Sequence, residues 1–128
     1  MEHAPGFLRA VAAVRDTVRE VDVAAMREAL ALGRAVVIDV REDREWAAGH
    51  VPGAVHCARG VLERDIERLV PDQATPLVLY CGGGYRSVLA ADALQRMGYG
   101  DVTSMAGGWR AYVVAGGPVV VPPSPLAP

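Results

Sequence analysis

Residues 77–97, LVLYCGGGYRSVLAADALQRM, join a short apolar run to a strong helical pattern through a run of glycines. LVLY follows Pro76 and reads as a strand buried on both faces, and residues 87–97 read as a helix stopped at Gly98. A second apolar run, AVVIDV over 35–40, has the same character. Short strands are expected near Val55–Cys57 and at 101–105, DVTSM. Between them lie helical patterns: Val23–Leu32 behind Asp22 as N-cap, a helical turn at 42–48 ending at Gly49, 61–70 ended by Pro71, and Trp109–Val114. A further amphipathic helix is predicted over 6–20, with Val11, Val14 and Val18 at helical spacing. Strands alternating with helices through short loops imply an α/β fold: a mainly parallel central sheet flanked by helices on both faces. In such sheets ligands bind beyond the carboxyl ends of the strands, where Cys81 falls.

The chain has 128 residues, 52% hydrophobic and 22% charged, which suits one soluble domain that needs no disulfide or metal staple. No stretch reaches the roughly 20 apolar residues of a membrane span. Charges interrupt the N-terminal segment, which therefore lacks the apolar core of a secretory signal, and a cytoplasmic location is expected. A net charge of −2 argues against a general nucleic-acid-binding surface while leaving room for a local basic pocket. Two cysteines and three scattered histidines (His3, His50, His56) do not make a structural zinc site. All 13 basic residues are arginine, which excludes lysine Schiff-base chemistry and a Walker-type phosphate loop. The tail from Pro118 holds five prolines and is expected to be extended.

Gly82, Gly83 and Gly84 permit a tight loop whose backbone N–H groups turn inward as an anion-binding nest. The helix starting near Ser87 adds its free N–H groups and positive dipole end, and Arg86 adds a charge. Together they favour thiolate over thiol and mark Cys81 as a nucleophile. Such a nest suits either a phosphate or arsenate oxyanion or a persulfide. Cysteine phosphatases use C-x5-R to cradle a tetrahedral phosphate. Here Cys81 and Arg86 are spaced C-x4-R, a smaller ring that suits one extra sulfur atom.

From about Val36 to Pro118 the chain resembles the single-domain rhodanese (thiosulfate sulfurtransferase-like) family. IDVREDREWAAGHVPGA (38–54) is similar to the family's first signature, YCGGGYRS (80–87) to its active-site loop, and GGWRAY (107–112) to its closing signature. The chain is therefore expected to divide into an N-terminal helical extension over 1–20, a rhodanese-like domain over 21–118 and a Pro-rich tail over 119–128. The resemblance implies a Cys81 persulfide held by Gly82, Gly83, Gly84, Tyr85, Arg86 and Ser87. A small-molecule donor such as thiosulfate would supply the sulfur, and a thiol, cyanide or a protein would accept it. Neither a metal nor an organic cofactor is implied. Around this loop, Asp39 is expected to hold Arg41 or a loop N–H, and Glu45 is a candidate partner for Arg86. His50 either fixes a turn or does acid–base work, and Trp109 is expected to sit in the core beneath the loop. Arg59 either binds an anionic donor or lies on the surface. Cys57 is either a core thiol or a resolving thiol for Cys81. The competing functions are a sulfur carrier or binding module of the same fold, and a phosphatase or arsenate reductase.

Overall fold

A computed structural model describes residues 2–123, so Pro125 and Pro128 of the tail lie outside the described residues. Among those residues five strands form one sheet: β1 (Arg19–Val21), β2 (Val36–Asp39), β3 (Val55–His56), β4 (Leu77–Tyr80) and β5 (Val102–Met105). Their spatial order is β1-β5-β4-β2-β3, and every pairing is parallel. Among the described residues six helices connect and cover them: α1 (Pro5–Arg15), α2 (Val23–Ala31), α3 (Asp43–Ala48), α4 (Leu62–Leu69), α5 (Arg86–Arg96) and α6 (Gly108–Val114). A 3-10 turn, Arg59–Val61, leads into α4. Among the described residues no helix is long and apolar enough to cross a membrane.

Side chains alternate across the pleat of β2 and β4, so the sheet carries two cores. Ile38, Val40, Leu77, Leu79 and Cys81 belong to one, which also holds Val11 of α1, Leu62 and Ile66 of α4, and Val88, Ala91 and Leu94 of α5. Val37, Val78 and Tyr80 belong to the other, with Met26 of α2 and Tyr112 of α6. Helices thus cover both faces, and the apolar runs in the sequence are the strands that need cover on both.

The predicted 6–20 helix is corrected at its end. Pro5 opens α1 at a position where its missing N–H costs nothing, but the helix stops at Arg15. Thr17 then hydrogen-bonds back to the Val14 carbonyl, 2.7 Å through its hydroxyl. The chain reverses into β1, which pairs with β5 at Arg19–Thr103, Glu20–Ser104 and Val21–Met105. Val18 still reaches the core, which is why helical spacing ran on past the true end. Asp22 caps α2 as expected, accepting the Ala25 N–H at 2.8 Å. At the other terminus Val120 makes a reciprocal antiparallel bridge to His50, 2.9 and 3.1 Å, and the Tyr112 hydroxyl donates to the Pro118 carbonyl at 2.6 Å. The start of the tail therefore lies against the fold.

At the end of β2, Asp39 (0% exposed) and Arg41 (3% exposed) form a buried ion pair. Arg41 Nη2 donates to Asp39 at 2.8 Å and to the Gly49 carbonyl at 2.7 Å, and its Nε and backbone N–H also reach the carboxylate. Removing one partner of such a pair leaves a buried charge without its counterion, which costs about 3–5 kcal/mol. Arg41→Ala is therefore expected to lower unfolding stability by about that amount. The double variant with Asp39→Ala should lose less than the sum of the two singles. Urea titrations of all four proteins test this; additive losses would mean the two side chains act independently.

Candidate active site

β4 ends at Tyr80 and delivers Cys81 to the carboxyl end of the sheet, and the chain turns through 82–85 before α5 begins at Arg86. Cys81 Sγ accepts two backbone N–H groups, from Gly84 at 3.2 Å and Ser87 at 3.3 Å. The Ser87 hydroxyl lies 3.4 Å from the sulfur and 2.8 Å from Ser104 Oγ on β5. Among the described residues the N–H groups of Gly82, Gly83 and Tyr85 donate to no protein acceptor. Cys81 is 1% exposed and lines a cleft of about 450 Å³.

The loop is seated on the segment before α6. Trp109 N–H donates to the Cys81 carbonyl at 2.7 Å, and Arg110 N–H to the Gly82 carbonyl at 3.1 Å. The fit leaves no room for side chains. A Cβ on Gly108 would stand 2.5 Å from the Cys81 oxygen and 2.9 Å from Gly84 N; one on Gly84 would stand 2.9 Å from Gly107 N. Backbone meets backbone, so neither side can give way.

Arg86 does not face the sulfur as a free charge. Both of its terminal nitrogens bind Glu45, at 2.8 and 3.1 Å, forming the fork that the sequence had offered as one alternative. Glu45 Oε1 also accepts the Glu42 N–H at the start of α3, at 3.1 Å. One carboxylate thus ties α3 to α5 across the cleft. Hydrogen bonding from Arg86, partly opposed by burial, pulls the Glu45 carboxyl from its ordinary 4.5 to about 2.

A family model described as Rhodanese-like domain matches residues 22–115. The chain belongs to the rhodanese-like domain family. Among solved structures it is similar to a Rhodopseudomonas palustris protein of unknown function, described as a possible tyrosine phosphatase. That match has 29% identity and a TM-score of 0.83, over 94% of this chain and 98% of that one. A rhodanese-related protein from Thermoplasma volcanium matches at 24% identity and a TM-score of 0.72, over 81% and 99% of the two chains. A thiosulfate sulfurtransferase from Pseudomonas aeruginosa matches at 21% identity and a TM-score of 0.79, over 90% of this chain and 22% of that one. The last two likenesses concern the fold.

In this rhodanese-like domain Cys81, Gly82, Gly83, Tyr85, Arg86 and Glu45 line the cleft. Gly84 and Ser87 are buried behind it and act through their N–H groups. Asp39 and Arg41 do not line the cleft; they brace its floor. Arg59 is not among the lining residues either, and its guanidinium pairs with Glu63 at 2.6 Å. Trp109 does more than fill the core: its ring covers the Arg41 guanidinium at 4.4 Å and also lines the cleft. His50 stacks on Trp46 with ring centroids 3.3 Å apart, in a loop-bracing position outside the cleft lining. Cys57 is a free, buried thiol whose pKa is raised by burial, in the same core as Cys81. The sequence reading missed His3, Phe7, Glu42, Arg44 and Arg110 in the cleft wall. For Arg110 a signal was present, since it follows Trp109 within GGWRAY.

Of the three loop glycines only Gly84 has a positive φ, +91°. Gly84→Ala should cost about 1–3 kcal/mol of strain, displace the N–H from Sγ and slow iodoacetamide alkylation of Cys81 severalfold. Gly83→Ala should keep near-parental rates, because a Cβ there meets nothing closer than 3.7 Å. Equal rates for both variants would remove Gly84 from the site's geometry.

The Glu45–Arg86 fork sets an acid limb. A carboxyl whose pKa falls on folding contributes stability that is complete above its ordinary value and is lost as pH drops toward the folded value. The parent should therefore exceed Glu45→Gln in urea midpoint at pH 6, and the difference should shrink from pH 4.5 toward 2. A difference independent of pH would mean that the charge of Glu45 contributes nothing.

Proposed function

We propose that this rhodanese-like domain is a sulfurtransferase working through a Cys81 persulfide. The observation that carries the reading is the divided use of the loop's N–H groups. Two hold Cys81 Sγ, while those of Gly82, Gly83 and Tyr85 have no protein acceptor among the described residues. Donors arranged in this way favour a negative sulfur, first the thiolate and then the terminal sulfur of a persulfide. The thiolate attacks the outer sulfur of thiosulfate. A Cys81–S bond forms, the sulfur–sulfur bond of the donor breaks, and its electron pair leaves on sulfite. A thiol or cyanide then takes the outer sulfur and returns the thiolate. The chemistry calls on no metal or organic cofactor, since nucleophile and stabilising dipoles both come from the chain.

The similarity to a possible tyrosine phosphatase gives a second reading, phosphoryl transfer by the same cysteine. Two features weigh against it. The ring from Cys81 to Arg86 is one residue shorter than C-x5-R, and the Arg86 fork is engaged with Glu45 and so turned from a phosphate's oxygens.

Intact mass spectrometry after incubation with thiosulfate should show the gain of one sulfur atom, reversed by cyanide. Cys81→Ser should abolish the gain and Cys57→Ser should retain it. Hydrolysis of p-nitrophenyl phosphate without any sulfur adduct would replace this reading with the phosphatase one.

A further inference from the structure

Strand β5 places a hydroxyl inside the sheet's hydrocarbon. Ser104 is 0% exposed and paired on both sides, opposite Leu79 of β4 and Glu20 of β1. Its side chain lies on the face that α5 covers, the face of Val102 and Leu79. A hydroxyl taken out of water there costs free energy unless its proton finds an acceptor. Among the described residues the one partner of Ser104 Oγ is Ser87 Oγ, at 2.8 Å. Ser87, in the first turn of α5, is also 0% exposed, and its oxygen lies 3.4 Å from Cys81 Sγ.

Counting protons fixes the direction of this chain. Each hydroxyl has one proton to give and lone pairs for two. If Ser87 gave its proton to Ser104, the Ser104 proton would sit in the core with no acceptor, and a buried donor left unmade loses its hydration outright. The satisfied arrangement runs the other way: Ser104 donates to Ser87, and the Ser87 proton turns to the sulfur. The N–H groups of Gly84 and Ser87 already donate to Sγ at 3.2 and 3.3 Å, so the hydroxyl is a third donor. Three donors suit a thiolate, which only accepts; a thiol proton on the same line would meet the Ser87 proton head-on. Hydrogen bonds in series also polarise one another, so the bond from Ser104 strengthens the one to sulfur.

We propose that Ser104 is a positioning residue for the nucleophile. It makes no bond to the sulfur, but it aims the Ser87 proton at Cys81 Sγ and so favours the thiolate. The inference concerns the site of the sulfurtransferase reading yet rests on the thiolate alone, from which sulfur transfer and phosphoryl transfer both begin.

The test is the rate of Cys81 alkylation by iodoacetamide, a neutral reagent, on the full chain from pH 6 to 10. Peptide mass mapping separates Cys81 from Cys57. Four proteins are compared: the parent, Ser104→Ala, Ser87→Ala and the double variant. Ser104→Ala should react about fivefold more slowly than the parent at pH 6, the scale of one hydrogen bond. It should approach the parent at pH 10, above the range in which an ordinary thiol ionises. In the Ser87→Ala background the same change should alter the rate by less than about twofold at any pH, because the path to the sulfur is already cut. The charged and titratable groups facing the site are the same in all four proteins: Arg86 with Glu45, Arg44 with Glu42, and Arg110, His3 and Tyr85 of the cleft wall. Cys57 in the core is likewise unchanged. An unchanged rate in Ser104→Ala, a slowing that persists undiminished at pH 10, or an equal slowing with and without the Ser87 hydroxyl overturns the proposal and leaves Ser104 a packing residue. If thiosulfate leaves no sulfur on the parent while the four alkylation profiles behave as expected, the role of Ser104 stands and the sulfurtransferase reading fails.

Discussion

A guanidinium taken out of water must find partners for its charge and its N–H donors inside the protein, and Arg41 does so by gathering segments that are distant in sequence. Its nitrogens take the Asp39 carboxylate and the Gly49 carbonyl, its plane lies under Trp109, and its carbonyl bonds His56 Nε2 at 2.8 Å. The end of β2, the turn after α3, the end of β3 and the first turn of α6 are thereby fixed to one another. The active loop rests on this assembly, because Trp109, which covers Arg41, also binds the Cys81 carbonyl through its N–H. The seating of the Cys81 loop therefore depends on a charge that does not line the cleft.

The loop's own geometry is set by complementary absences. The glycines of GGWRAY leave space that the backbone of 81–84 fills, and Gly84 returns the favour toward Gly107. Two motifs separated by some twenty residues behave as one interlocked backbone surface, which holds the inward-facing N–H groups around Sγ without side-chain help. Ser87 and Ser104 extend the arrangement inward and link the start of α5 to β5.

Most of the architecture was legible because α/β units advertise themselves locally. VVID and LVLY are apolar on both faces, Asp22 caps α2, and Gly98 ends the pattern of α5. The cysteine loop was legible for the same reason: its parts are contiguous. What escaped was short or nonlocal. β1 is three residues with two exposed, and it is a strand only because β5 lies beside it. Spacing alone could place Arg86 near the sulfur but could not decide that Glu45, 41 positions away, takes its fork. His3 and Phe7 reach the cleft only because α1 packs across α5. Arg59 looked well placed in sequence, yet a glutamate one helical turn on occupies it.

The placement of β1 and α1 bears on where this domain begins. The family match starts at residue 22, after both elements. A chain trimmed to that match would lose the strand that pairs with β5 and the helix whose Val11 seals the core beside α5. One flank of β5 would then show a row of unpaired N–H and C=O groups beside freshly bared hydrocarbon, the combination that templates strand addition between molecules. Residues 2–21 thus cover that flank, β1 taking the hydrogen-bonding edge of β5 and α1 lying over its apolar neighbours.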